Sequence, residues 1–299
     1  MSKIEKIVPE EFHKLKIREF LKEELGLSTR LIRGAALDKR ILADGKAVKM
    51  NYVISRGEKI TIDLEKEETQ NIEPEDIPIN VVYEDEDIIV VNKEPFMVVH
   101  PTKSHYNGTL SNGIINYFRK TGQNCIVRLV SRLDMNTSGL IIIAKNQYSH
   151  MQLSKEMKEE HFQKRYLTIV HGNLKEKEGT INEPIYRESD DTIKRTVDKR
   201  GQESVTHYKV VESYKDADLV ECLLETGRTH QIRVHMSHLG HPIFGDSLYG
   251  TEDEEFIKRQ ALHAYGLDLH SPRTRKELRL RAELPEDMKE LVNKLKNGQ

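Results

Sequence analysis

From residue 79 onward the chain carries short apolar runs at 88–91, 140–144, 166–170, 205–211, 219–224 and 262–269, with helical stretches at about 108–119, 147–160, 229–239 and 286–296. Three of those runs, from 166 to 224, succeed one another with no helical stretch between them. A doubly wound parallel sheet returns through a helix after each strand, so this order argues against it. It predicts an α+β body over 79–299 with a mixed, largely antiparallel sheet.

The preceding residues have a different texture. Ile17, Phe20, Leu21 and Leu25 recur at helical spacing, Gly26 and Ser28 stop one helix and cap the next, and a second helix is predicted over 29–37. After the turn dipeptide Asp44-Gly45 come two short alternating runs, 47–50 and 59–64. This predicts a small α+β unit over 14–64. Residues 65–78 carry two prolines and no apolar periodicity, and are expected to be an acidic linker.

Charge sharpens this division, although the net charge is only −2. Residues 14–63 hold twelve Lys/Arg against seven Asp/Glu, whereas 64–94 hold two against eleven. Local positive charge binds phosphate backbones by releasing counterions, so the N-terminal unit suits a polyanion better than the whole chain does. No apolar stretch approaches the roughly 20 residues of a membrane span. The opening residues, Met1 to Ile7, lack the apolar core of a signal peptide. Cys125 and Cys222 sit in no paired motif and are expected to be reduced. The expected location is the cytoplasm.

Two segments carry chemistry. In Val130-Ser131-Arg132-Leu133-Asp134-Met135-Asn136-Thr137-Ser138-Gly139, a carboxylate stands beside an arginine in a polar turn leading into the buried-strand pattern 140–144. A carboxylate held at a strand end can act as nucleophile, general base or electrostatic stabiliser. In Gly227-Arg228-Thr229-His230-Gln231-Ile232-Arg233-Val234-His235-Met236, Ile232 and Met236 share a helix face while Arg233 points elsewhere. A buried arginine needs an anionic partner.

The spelling of both segments closely resembles the RluA/RluD family of RNA pseudouridine synthases, and the likeness runs from about residue 14 to 285. It implies a pseudouridine synthase catalytic domain that isomerises uridines in structured RNA, with large-subunit ribosomal RNA favoured over transfer RNA as partner. Asp134 would be the catalytic aspartate, attacking the target uridine so that the base detaches, rotates and rejoins the ribose through C5. Arg233 would pair with it. Tyr166 would stack on the base and take part in removing the C5 proton, Leu262 would form the apolar wall under the base, and Arg132 would enter the RNA stack where the uridine has flipped out. Many family members have His where this chain has Ser131. The N-terminal unit resembles an S4 RNA-binding domain, with Arg30, Arg33 and Lys46 among its basic residues. The family implies a monomer that needs no cofactor.

Rival readings fare less well. His230, His235, His238 and His241 cluster in sequence without the i, i+4 spacing or the Cys and carboxylate partners usual for zinc, so no metal is expected there. There is no Gly-x-Ser-x-Gly elbow, phosphate loop or dinucleotide fingerprint. A non-catalytic S4-type RNA-binding protein is the alternative, but such a protein has no use for a carboxylate facing phosphates.

Overall fold

The computed structural model describes residues 3–65, 70–189 and 191–298. The N-terminal unit is formed by β1 (Lys3–Ile7), α1 (Ile17–Glu23), α2 (Thr29–Leu37), β2 (Ile41–Ala43), β3 (Lys46–Ala47) and β4 (Lys59–Asp63). Its sheet runs in the order β1-β4-β2-β3. Ser28 caps α2, its hydroxyl accepting from Leu31 N at 3.2 Å. The helices bury Ile17, Phe20, Leu21, Leu31 and Ile32 against Ile41, Ile60 and Ile62 of the sheet. This sheet recruits β1 from ahead of the expected start at residue 14, pairing Lys3–Ile7 antiparallel with β4.

The stretch read as a linker is not free. Residues 66–69 lie outside the described residues, but from Gln70 the chain is strapped to the body. Gln70 exchanges two hydrogen bonds with the Val127 backbone, at 3.2 and 2.9 Å. Ile72 is buried beside Ile89 and Val91, and Glu73 O accepts from Asn112 Nδ2 at 2.7 Å. One buried isoleucine and side-chain bonds to its backbone anchor a segment that has no periodicity of its own.

The body contains β5 (Val81–Glu84), β6 (Ile88–Lys93), α3 (Leu110–Lys120), β7 (Arg128–Leu129), β8 (Ser138–Ala144), α4 (Gln147–Glu156), β9 (Gln163–His171), β10 (Glu178–Asn182), β11 (Ile185–Tyr186), β12 (Thr196–Val197), β13 (Val205–Ser213), β14 (Ala217–Leu224), α5 (Gln231–His238), β15 (Leu262–His270), β16 (Glu277–Arg281) and α6 (Glu286–Lys296). Ten of these strands form one sheet, ordered β10-β13-β14-β9-β15-β8-β6-β5, with β16 on β15 and β7 on β8. Among the described residues every pairing in it is antiparallel except β8 with β15. The fold is the expected mixed, mostly antiparallel α+β body.

Strand β8 explains the long apolar run. Alternate residues point to opposite faces. Ile141 and Ile143 pack with Ile114 and Phe118 of α3, while Leu140, Ile142 and Ala144 pack with Leu153 of α4 and with Leu267 and Leu269. Burial on both faces removes the need for polar alternation. The same strand fixes the turn before it. Gly139 lies at φ +116°, and a Cβ there would fall 2.3 Å from Ala264 O. Only glycine lets the chain pass β15 so closely. Gly139→Ala is therefore expected to cost about 3 kcal/mol or more, read as a lower midpoint in denaturant.

The N-terminal unit rests on α4 and on the turn after β15. Tyr148 joins its core, Lys155 Nζ donates to Gly26 O at 2.8 Å, and Arg273 Nη1 donates to Lys3 O at 2.9 Å. Among the described residues no helix is long and apolar enough to cross a membrane.

Candidate active site

Asp134 sits in the turn between β7 and β8, and two buried cations grip that turn from below. Lys93, at the end of β6 and 1% exposed, donates from Nζ to Met135 O at 2.9 Å, Met97 O at 3.0 Å and Glu94 O at 2.8 Å. Arg259, also 1% exposed, donates from Nη1 to Asn136 O at 3.2 Å. Its Nε and Nη2 reach the two oxygens of Asp287 at 2.6 and 2.8 Å. The turn closes on itself through Thr137 N donating to Asp134 O at 3.1 Å.

Burial, then the nearby Arg259 charge, pulls Lys93 down to about 7 from the usual lysine range, against the Asp134 carboxylate, which raises it. Three carbonyl acceptors match the three N–H bonds of the ammonium form. Below pH 7 both folded and unfolded chains hold the proton, and the burial penalty is fully present; between 7 and 10.5 the unfolded chain holds more protons. This group alone makes stability rise with pH across that window. Lys93→Met is expected to free the turn and lower kcat by at least about ten-fold, a misplacement effect. Its stability should gain less than that of wild type between pH 7 and 9, as denaturation at the two pH values would register.

Above the turn, Arg233 from α5 meets the carboxylate: its Nη1 donates to Asp134 Oδ2 at 3.0 Å. The rest of the guanidinium is held by Asp246, which accepts from Nε and Nη2 at 2.8 Å each. Asp246 is fully buried and also accepts from Leu248 N and Tyr249 N. Burial alone would lower the Arg233 pKa, but the two carboxylates more than offset it and the group ends raised. The Tyr249 ring lies 5.1 Å from the guanidinium carbon. Arg233 is thus a fixed cation, locked on one side and presenting a single N–H to Asp134.

The helix start is fixed as firmly. Gln231 uses both ends of its amide, donating to Val205 O and Thr206 Oγ1 and accepting from Arg228 N and Thr226 Oγ1. Ile232 and Met236 pack into the core on the expected face.

Asp134, Arg233, Tyr166, Leu262 and Arg132 all line one cavity of about 60 Å³. Tyr166, on β9, is buried, and that burial, with the Asp134 charge, pushes its hydroxyl well above the usual tyrosine range. Leu262 is buried at the start of β15, and Arg132 is exposed at the cavity and makes no ion pair among the described residues. Arg30, Arg33 and Lys46 are exposed on the N-terminal unit, outside this cavity. Lys46 lines a separate groove with Lys49 and Tyr52. Sequence reasoning missed Lys93, Asp246 and Arg259. Each looks like a surface charge or polar residue beside a strand end or turn; the one local hint was Gly245-Asp246 closing an apolar run.

The sequence cluster of histidines disperses. His235 bonds Thr206 Oγ1 and Glu183 O, His241 bonds His171 O, His238 is exposed and His230 faces the cavity. A different group, Glu156, His161 and His270, brings three ligating atoms within 4.8 Å of one another. Glu156 there already accepts from the His270 backbone at 2.6 Å and from Arg275 at 3.3 Å. An arginine on the carboxylate competes with a cation for it. Cys125 and Cys222 are free thiols.

Comparison with known proteins identifies the family. The family described as RNA pseudouridylate synthase matches residues 87–238, which include both motifs. Among relatives, the RNA pseudouridine synthase YlyB of Bacillus subtilis is 39% identical over 303 residues, covering 100% of both chains. YjbO of the same organism is 41% identical, covering 90% of this chain and 95% of that protein. Ribosomal large subunit pseudouridine synthase D of Escherichia coli K12 is 37% identical, covering 86% of this chain and 82% of that protein. The structure of human RNA pseudouridylate synthase domain containing 4 has the same fold, with a TM-score of 0.60 at 24% identity over 72% of this chain and 92% of that one. With half the chain inside the family's match and full-length relatives near 40% identity, this chain belongs to the RNA pseudouridine synthase family of isomerases.

Proposed function

We propose that this enzyme converts specific uridines of large-subunit ribosomal RNA to pseudouridine, with Asp134 as the reacting carboxylate. The carrying observation is the 3.0 Å contact between Asp134 and an arginine already saturated on its other side by Asp246. A fixed cation on one oxygen orients the carboxylate in the cavity, as suits a positioned nucleophile. The reaction balances within the nucleotide: C1′–N1 breaks, C1′–C5 forms, the C5 proton leaves and N1 takes one up. No oxidant or reductant is needed.

Tyr166 and Leu262 supply the aromatic and apolar surfaces for a flipped uracil. Arg132, exposed and without an ion pair among the described residues, suits the space the base leaves in the RNA. The exposed Arg30, Arg33 and Lys46 give the N-terminal unit its phosphate affinity in the manner of an S4 domain, and the protein acts as a monomer in the cytoplasm. Ribosomal RNA is favoured by the Escherichia coli relative, whose name specifies the large ribosomal subunit.

Mapping pseudouridines in ribosomal and transfer RNA from cells with and without the gene tests the substrate. Loss of sites confined to large-subunit RNA, restored by the wild-type gene, is the expected result. Loss confined to transfer RNA would overturn the ribosomal assignment while leaving the chemistry intact.

A further inference from the structure

His230 has no part in the chemistry described so far, yet its setting is costly. It adopts φ +59°, in the left-handed region, at the residue before α5. Such strain on a residue with a Cβ persists where surrounding structure enforces it, often at functional sites. The side chain does not cap the helix. Its Nδ1 lies 2.8 Å from Tyr249 Oη, and the same oxygen accepts from Arg195 N at 2.8 Å.

Those two contacts favour one tautomer. Tyr249 has one hydroxyl proton, and Arg195 N–H occupies its oxygen as acceptor. Donation of that proton to Nδ1 satisfies both groups at once and favours the tautomer with the imidazole proton on Nε2. That Nε2 lies 3.8 Å from Asp134 Oδ2, too far for a hydrogen bond, and has no other hydrogen-bond partner among the described residues. Burial lowers the His230 pKa. The charges of Arg233 and Arg195 lower it further, while Asp134 and Asp246 raise it; the net shift is downward, favouring the neutral ring.

We propose that His230 is a catalytic hydrogen-bond donor, presenting a neutral Nε2–H to a uracil carbonyl oxygen once the C1′–N1 bond has broken. This rests on Asp134 as the reacting carboxylate. When that bond breaks its electron pair leaves with the base, and the charge spreads from N1 onto the ring oxygens. A prepositioned donor stabilises such charge more than it stabilises the neutral uracil of bound substrate. No proton is transferred. Tyr249 acts as the positioning residue, by holding the proton on Nε2.

The test uses the full-length enzyme on [5-³H]uridine-labelled ribosomal RNA, comparing wild type with His230→Asn, His230→Gln, Tyr249→Phe and Asp134→Asn. Asparagine tolerates the left-handed backbone and can keep the Tyr249 contact, but does not reach the Nε2 position. Glutamine returns an N–H near it. His230→Asn should lose about 100-fold in kcat, with KM and RNA affinity within about three-fold and the melting temperature held. His230→Gln should recover at least about ten-fold of that loss. Tyr249→Phe, which keeps the ring over Arg233, should fall between them. The ratio of wild-type to His230→Asn kcat should stay constant from about pH 6.5 to 8.5, as a neutral donor requires, with the titration of Lys93 common to both. The proposal is overturned by wild-type kcat in His230→Asn, by equal losses in Asn and Gln variants, or by an effect confined to KM. Turnover by Asp134→Asn would instead overturn the assignment of the reacting carboxylate.

Discussion

Asp246→Ala is expected to lower stability by about 3–5 kcal/mol and kcat by at least about 100-fold. The charge of Arg233 is buried and shared between two carboxylates, with Asp246 supplying two of its three side-chain bonds at 2.8 Å. Removing Asp246 leaves that charge with one remaining partner, and breaking a buried pair from one side costs more than the pair itself contributes. The guanidinium is then expected to swing toward Asp134 and take up the oxygen proposed to react. Denaturant unfolding and single-turnover kinetics on one preparation register both effects. Asp134→Asn, by contrast, leaves the two Asp246 bonds in place and should change stability by less than about 1 kcal/mol. Equal destabilisation by the two substitutions would mean that Asp134 is as much a structural partner of Arg233 as Asp246.

The second large effect concerns RNA affinity. Reversing three exposed charges together, Arg30→Glu, Arg33→Glu and Lys46→Glu, should weaken RNA binding by about ten- to 100-fold near 0.1 M salt and reduce the salt slope of log Kd by about two to three. None of the three carries a burial or pairing role that the fold needs. The melting temperature should therefore stay within a few degrees, and kcat at saturating RNA should be unchanged because the cavity around Asp134 includes none of them. An unchanged salt slope would assign the basic surface of this unit to some other partner.

Much of the fold was legible because strong apolar periodicity and burial agree. The run at 140–144 is β8, buried on both faces, and the stretch at 286–296 is α6, which buries Met288 and Leu291. What sequence did not register has a common physical cause. Strand β16, with the pattern Glu-Leu-Arg-Leu-Arg, is an edge strand paired only with β15 among the described residues, so charge lies on one side of it. Strand β5 follows closely on the acidic stretch 65–78 that reads as linker. β11 and β12 are two residues each, below any detectable period.

The site divides the same way. Asp134 and Arg233 stand out because each sits in a polar segment abutting an apolar pattern. Lys93, Asp246 and Arg259 do not, because their burial is decided by partners remote in sequence. Lys93 serves Met135 O, 42 residues on, and Arg259 pairs with Asp287, 28 residues on. A charged residue declares itself as buried only once the fold has supplied its counter-group.

Tritium release from [5-³H]uridine-labelled large-subunit ribosomal RNA, purified from cells lacking this enzyme, tests the central claim most directly when wild type and Asp134→Asn are run side by side. The account predicts release by wild type up to a fixed number of uridines per RNA, and none above background by the variant, although the variant binds the same RNA and melts at nearly the same temperature. Release by Asp134→Asn at a rate near that of wild type would contradict it.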